Sequence, residues 1–474
     1  MEEVQVAPLS PERFSDVLDE GDWEEFQSAT AEARKLLEGR AVWNVNSTAV
    51  GGGVAEMLRS LLSYSRGAGI DVRWVVIEGT PDFFRTTKRI HNFLHGAEGD
   101  GGGLGDLEAE SYRAVSQANS EQLAATVRPE DIVLLHDPQT AGLAGPLKQT
   151  GARVVWRSHI GVEVANERVA LAWDFLQPFL ESADACVFSR RAYVPDWANA
   201  VRTEIIQPSI DVFSAKNQEM STETAHAILG STGLLADGRQ SNALPAFKRQ
   251  DGSPGRVDRP CEVTSDGPLP DADTPLIVQV SRWDRLKDPE GVMDGFARHV
   301  LEQTDAHLML AGPAVRAVAD DPEGAQVLEE TRTAWRHLPV SSRNRIHLVC
   351  IPMDDIEENA AIVNALQRQA TIVVQKSLQE GFGLTVAEAM WKSRPVVASS
   401  VGGIKEQIED GTTGLLLEDP RDLAAFGELL LRLLDDPELA AMLGANARER
   451  VRRQFLATRH AIQYINLFQE ILRR

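Results

Sequence analysis

Cysteine, tyrosine and basic charge are all scarce in this chain. Its three cysteines, Cys186, Cys261 and Cys350, lie far apart in 474 residues. An odd, widely spaced set excludes a disulfide framework and any cysteine-based metal motif, and it points to a reducing compartment. No apolar run approaches the roughly 18 residues that a membrane helix needs. Residues 1–14 are acidic and proline-bearing, without the basic start or apolar core of a secretory leader, so the expected location is cytoplasmic. Lys and Arg number 48 against 70 Asp and Glu, a formal net charge of −22. So negative a surface repels nucleic acid and anionic membranes, and neither is expected as a partner. An anionic substrate would need a local basic site set against that field, which makes the position of a few Arg and Lys residues informative.

What is present is ordinary globular composition, 43% apolar and 25% charged, in a chain long enough for two to four domains. After a polar amphipathic helix over 23–38, a short apolar run at 41–45 ends in a polar, glycine-rich segment that includes Asn46, Gly51, Gly52 and Gly53. Val54, Met57, Leu58, Leu61 and Leu62 then follow at helical spacing, and 72–77 is the next strand. The β–loop–α–β opening is a parallel crossover. Further strands are expected at 132–135, 154–156, 185–188 and 204–206, with helical stretches between most of them. From 216 to 272 the chain turns polar and rich in Ser, Gly, Pro and Asp, and reads as a linker or insertion, mobile over 237–272. Alternation resumes with strands at 276–280, 307–311, 346–350, 371–374 and 395–398. A last helix carries Ile462, Ile465, Phe468 and Leu472 on one side. The expected architecture is α/β, with two Rossmann-like, doubly wound domains at 1–215 and 273–455 and a cleft between them. The terminal helix, 456–474, is expected to pack back on the first domain. Ligands of such sheets sit beyond the carboxyl ends of the strands.

Chemically useful residues fall at those ends. Glu380-Gly381-Phe382-Gly383-Leu384-Thr385 follows the strand at 371–374 and opens a short helix carrying Glu388. The glycines allow close backbone approach, and the helix start offers unpaired N–H groups to a phosphate. The two glutamates can take separate polyhydroxyl groups; solvated glutamates on a glycine-rich loop are the plainer alternative. Arg282 and Lys287 share the loop after the strand at 276–280, placed to neutralise a diphosphate, although in isolation surface salt bridges with Asp284 and Asp288 are the more usual role of such a charge run. His136-Asp137 and His159 stand at strand ends in the first half, where each would serve a ligand or simply cap a loop. Asp354-Asp355, with no third ligand in view, reads as a loop rather than a metal site.

Taken together these segments resemble the GT4 family of retaining glycosyltransferases. The likeness rests on Glu380 and Glu388 in an E-x7-E arrangement, with Ser281-Arg282-Trp283-Asp284-Arg285-Leu286-Lys287-Asp288 upstream. Within that family the chain is most similar to the trehalose glycosyl-transferring synthases, through Trp43 to Thr48, Gly51 to Glu56, His136-Asp137-Pro138-Gln139, Trp156-Arg157-Ser158-His159 and Val401 to Ile404. The resemblance implies a GT-B fold and transfer of glucose from a nucleoside diphosphate glucose (UDP- or ADP-glucose) to glucose, forming trehalose. Alternatives are another small sugar or sugar-phosphate acceptor, or a sugar-nucleotide sensor without turnover. It further implies that Arg282 and Lys287 hold the donor diphosphate, Glu380 and His159 meet the donor sugar, and Glu388 takes the ribose. Gly381, Phe382, Gly383, Leu384 and Thr385 would face the phosphate, Gly51, Gly52 and Gly53 would close over the ligands, and Asn46, His136 and Asp137 would line the acceptor side. No metal or other cofactor is expected, and a homodimer is compatible with the sequence. One departure stands out: the synthases carry an acidic residue soon after the histidine, where this chain reads His159-Ile160-Gly161-Val162.

Overall fold

The computed structural model describes residues 1–49, 52–236, 243–315 and 322–473. The chain divides into two compact units, residues 1–209 with 455–474, and residues 210–454.

The described strands of the first unit are β1 (Glu2–Val4), β2 (Val42–Asn46), β3 (Val72–Val76), β4 (Ile132–His136), β5 (Arg153–Ser158), β6 (Ala185–Phe188) and β7 (Thr203–Ile205). They form one sheet in the order β1-β3-β2-β4-β5-β6-β7. All pairs are parallel except β1 with β3. The sequence explains why both faces are covered. Trp43, Val45, Val133, Leu135, Val154, Trp156, Cys186 and Phe188 share one core with Phe83, Tyr112 and Leu176. Val42, Trp74, Ile132, Leu134, Val155, Ala185 and Val187 share another with Leu58 and Leu62. Successive residues thus alternate between two buried cores, the pattern of a sheet with helices on each side. Leu467, Phe468 and Ile471 of the helix Ala457–Leu472 complete the second core. Each such side chain contributes about 1.5–3 kcal/mol relative to exposure, enough to anchor the helix there.

The second unit adds β8 (Ala246–Lys248), β9 (Pro254–Arg256), β10 (Glu262–Thr264), β11 (Leu276–Val280), β12 (His307–Pro313), β13 (Ile346–Ile351), β14 (Ile372–Gln375), β15 (Val396–Ser399) and β16 (Leu415–Leu417). Its main sheet runs β10-β13-β12-β11-β14-β15-β16, with only β10 antiparallel among its described strands.

The stretch expected as a linker is instead part of the second unit. Residues 237–242 lie outside the described residues, but the remainder of 216–272 is folded and belongs to the second unit. Ser221 caps the helix Thr222–Ser231, β8 and β9 form a hairpin, and β10 joins the main sheet. Buried apolar side chains, Ile228, Leu229, Phe247 and Val257 among them, and polar contacts together hold it. Arg249 pairs with Asp355 and Glu357, and the buried Glu358 carboxylate accepts from the Asp258 and Arg259 amides at 2.8 and 2.9 Å. Asp355 also caps the helix Ile356–Gln369, which gives it a structural role.

Candidate active site

In the second unit, two loops at the carboxyl edge of β11 and β14 carry the charged residues. Trp283 is 4% exposed and donates from its indole to the Pro313 carbonyl, pinning the loop after β11. Asp284 accepts the Leu286 amide and closes a short 3-10 turn. Lys287 is thereby turned inward, its carbonyl accepting from the Gln279 side chain at 2.9 Å. Its ammonium donates to Glu380 Oε2 at 2.6 Å, and the Ser377 hydroxyl donates to the same oxygen at 3.2 Å. Both ionic partners are largely shielded, with side chains 15% and 10% exposed. Arg282, by contrast, is 62% exposed and reaches Asp284 at 3.1 Å. Asp288 does not take up either cation of the loop. It caps the helix Pro289–His299 at a φ of 50° and pairs with the fully buried Lys376, a residue that the sequence reading missed.

Glu380 to Gly383 form a turn that leads into the helix Leu384–Trp391. Gly383 has a φ of 81°, a conformation that favours glycine. Gly403 donates to the Gly381 carbonyl at 3.0 Å and sits so close that an added Cβ would lie 2.5 Å from Phe382 Cα. Gln407 bonds the Phe382 and Gly383 carbonyls from the same side. Thr385 donates to Gln375 of β14 at 3.1 Å, tying the helix start to the strand end. One turn on, Glu388 is 3% exposed, with Oε1 3.5 Å from Lys216 and Oε2 buried without a hydrogen-bond partner. An unsatisfied buried carboxylate oxygen is costly, and such a group in a native site calls for a functional reason. Behind it Lys392 is fully buried and bonded to Asn217, Gln367 and the Glu388 carbonyl; burial brings its ammonium down to about 7.

In the first unit, β2, β4 and β5 place their polar ends together. Asn44, His136 and Arg157 occupy the register positions of Val42, Leu134 and Val155, and so face the core that holds the C-terminal helix. His136 Nδ1 lies 3.1 Å from His159 Nε2, and His136 Nε2 lies 3.2 Å from Asn44 Oδ1. Asp137, at a φ of 64°, accepts the His159 amide on Oδ1 at 2.8 Å. Arg157 is fully buried. Its Nε donates to His159 Nδ1 at 3.3 Å, and its Nη1 lies 3.2 Å from His460 Nε2 and donates to the Tyr464 hydroxyl at 2.6 Å. Arg157, His460 and Tyr464 were not anticipated; a charged or polar residue at a core register position was the available signal. Asn46 is 4% exposed, and its amide accepts from the Trp74 indole and donates to the Thr48 carbonyl. It therefore braces the loop that follows β2. Gly51 lies outside the described residues; Gly52 and Gly53 begin the helix Gly52–Gly67. Among the described residues no group of three or more His, Cys, Asp or Glu is placed to hold a metal ion, and no helix is long and apolar enough to cross a membrane.

Burial pulls the His136 imidazole down to about 3, with Arg157 adding to the effect, and pulls His460 well below the usual histidine range for the same reasons. In the unfolded chain these rings take up protons near pH 6.5, whereas in the native fold they stay neutral. Stability is therefore lost as pH falls through 6.5, by roughly 1.4 kcal/mol per pH unit for each ring. Burial pushes the neighbouring Asp137 carboxyl up to about 7. Its effect has the opposite sign, native proton retention favouring the fold as pH falls from 7 toward 4, and it offsets about one ring. The melting temperature should fall on acidification from pH 7 to 5, and His136→Asn should make that fall shallower in a pH series of thermal melts.

Two family models match the chain. Residues 44–195 match the N-terminal domain of trehalose synthase, and residues 264–450 match glycosyl transferases group 1. A trehalose synthase from Pyrococcus horikoshii is 34% identical over 448 residues, 94% of each chain. One from Rubrobacter xylanophilus is 34% identical over 439 residues, 92% of each. Among solved structures, a UDP-forming α,α-trehalose-phosphate synthase from Burkholderia vietnamiensis superposes with a TM-score of 0.65 at 16% identity, covering 91% of this chain and 98% of that one. The two seven-stranded sheets are those of a GT-B glycosyltransferase. Within that class, the chain belongs to the trehalose synthase family.

Proposed function

We propose that this protein is a retaining glucosyltransferase that moves glucose from a nucleoside diphosphate glucose, UDP- or ADP-glucose, to free glucose and forms trehalose. The observation that carries the reading is in the second unit. Lys287 and Glu380 are paired beside a glycine-shaped helix start, with the orphaned Glu388 oxygen one turn beyond. A diphosphate arriving at that helix start would take Lys287 from Glu380, freeing the carboxylate for sugar hydroxyls. Arg282, exposed at the loop tip, would swing from Asp284 to the same anion. Glu388 would accept from a ribose hydroxyl, which supplies the missing partner of its oxygen. His159, His136 and Asp137 are assigned to the sugars at the carboxyl edge of the first sheet.

In the reaction the anomeric carbon–oxygen bond breaks with its electron pair leaving on the diphosphate. The acceptor hydroxyl attacks from the leaving-group face and gives its proton to the departing phosphate. Cations on the diphosphate stabilise the charge that develops there, so the chemistry requires no metal. The acceptor side supports an uncharged sugar. Arg190, just beyond β6 and 6% exposed, donates to Glu163 at 2.6 Å, so its charge is already met by a carboxylate four residues after His159. Incubation with donor and an acceptor panel tests the assignment. The expected product is trehalose, with glucose preferred at least tenfold over glucose 6-phosphate; exclusive use of the phosphorylated sugar would replace the acceptor assigned here.

A further inference from the structure

We infer that Arg157, held from beneath by His460 and Tyr464 of the C-terminal helix, is the positioning residue that fixes the ring of His159 in a single tautomer. The inference rests on His159 serving the sugars, as assigned above.

Arg157 can only donate. A guanidinium has five N–H groups and no acceptor, and it stays charged in proteins. His159 Nδ1, receiving Arg157 Nε at 3.3 Å, must therefore be the bare nitrogen of its ring. A neutral His159 then carries its proton on Nε2, which lies 3.1 Å from His136 Nδ1. That contact makes His136 Nδ1 the acceptor and puts the His136 proton on Nε2, 3.2 Å from Asn44 Oδ1. The amide oxygen accepts, and the chain closes without a clash of donors. On the other branch Arg157 Nη1 lies 3.2 Å from His460 Nε2, so that nitrogen accepts and the His460 proton sits on Nδ1, 2.9 Å from the Ser209 hydroxyl. The remaining Arg157 donors reach Tyr464 at 2.6 Å and the Ile206 carbonyl at 3.1 Å. One cation thus sets the proton position on three rings, and no other arrangement of neutral rings satisfies every contact.

This has a consequence for the site. Both nitrogens of His159 are engaged inside the first unit, so the ring is oriented in advance and does not serve as the proton-transfer group. The C-terminal helix, reached only after the chain has built the whole second unit, supplies two of the groups that hold Arg157. Positioning of this kind is expressed in turnover more than in donor affinity, because a displacement of about 1 Å can cost up to 10²-fold in rate.

Long-range nitrogen–proton correlation spectra of the full-length protein labelled with ¹⁵N-histidine give the direct test. At pH 7 His159 and His136 should show Nε2–H tautomers and His460 an Nδ1–H tautomer, each identified by its loss in a single-site variant. A doubly protonated His159, or one carrying its proton on Nδ1, overturns the proposal. A second measurement does not depend on assignment. His460→Phe should lower kcat on the order of tenfold or more with the donor KM within about twofold, whereas His460→Gln, which keeps one acceptor and one donor, should restore kcat to within about threefold. An equal loss in both variants, or a kcat unchanged in His460→Phe, contradicts the role given to Arg157. Loss of all transfer in the wild-type protein would instead sink the functional reading on which the inference rests.

Discussion

Lys287→Ala should reduce kcat by about 10²–10³-fold while leaving the fold intact. In the proposed reaction the departing diphosphate gains negative charge as its bond to the sugar breaks, and Lys287 is the inward-facing cation of its loop. The substitution removes the 2.6 Å ion pair with Glu380, but that carboxylate keeps the Ser377 hydroxyl as a donor. The loop itself is held by the Trp283 indole and the Gln279 bond to the Lys287 carbonyl, which do not involve the ammonium. Steady-state kinetics together with a thermal melt separate the two effects. A melting temperature within a few degrees of wild type, with turnover lost, is the expected pair of results. Arg282→Ala should also cut turnover, by a smaller factor, because its 62% exposed side chain is less pre-placed than Lys287.

Glu388→Gln should raise the donor KM by roughly ten- to a hundredfold, the range for losing a hydrogen bond to a charged group. It should do so without lowering the melting temperature. The Glu388 side chain is 3% exposed, and one of its oxygens is buried without a hydrogen-bond partner, so that oxygen contributes little to folding. Gln retains the shape and one acceptor oxygen. A variant that binds donor weakly yet melts no lower would identify Glu388 as a ligand-binding group. A strongly destabilised variant would make it a structural partner of Lys216 instead. Titration of nucleoside diphosphate by calorimetry, beside the melts, reads both quantities.

Much of the fold was legible because most strands of both sheets are short, apolar-rich segments, those of the first alternating between two cores. Leu276–Val280 and Ile346–Ile351 could be placed from apolar content and spacing alone. The strand Glu2–Val4 could not, since two of its three residues are charged and its place is set by antiparallel pairing with β3. Residues 243–272 were misread for a related reason. Phe247 and Val257 are buried there, but much of their order comes from Arg249, Asp355, Glu357 and Glu358, which look like a solvated surface until the partners are brought together. In the second unit the charged loops were legible as clusters, but the pairing was not: Arg282 meets Asp284 as the bland alternative held, whereas Lys287 turns to Glu380, 93 residues away. Arg157 and His460 are 303 residues apart, and only a closed fold reveals that they touch.

The most direct test of the central claim uses donor glucose labelled with ¹³C at its anomeric carbon, unlabelled glucose as acceptor, and carbon NMR of the product. The account predicts label in a disaccharide whose two anomeric centres are both α, formed without added divalent metal and accompanied by one nucleoside diphosphate per transfer. Label in a β-linked product, or in no disaccharide with any acceptor offered, would contradict it.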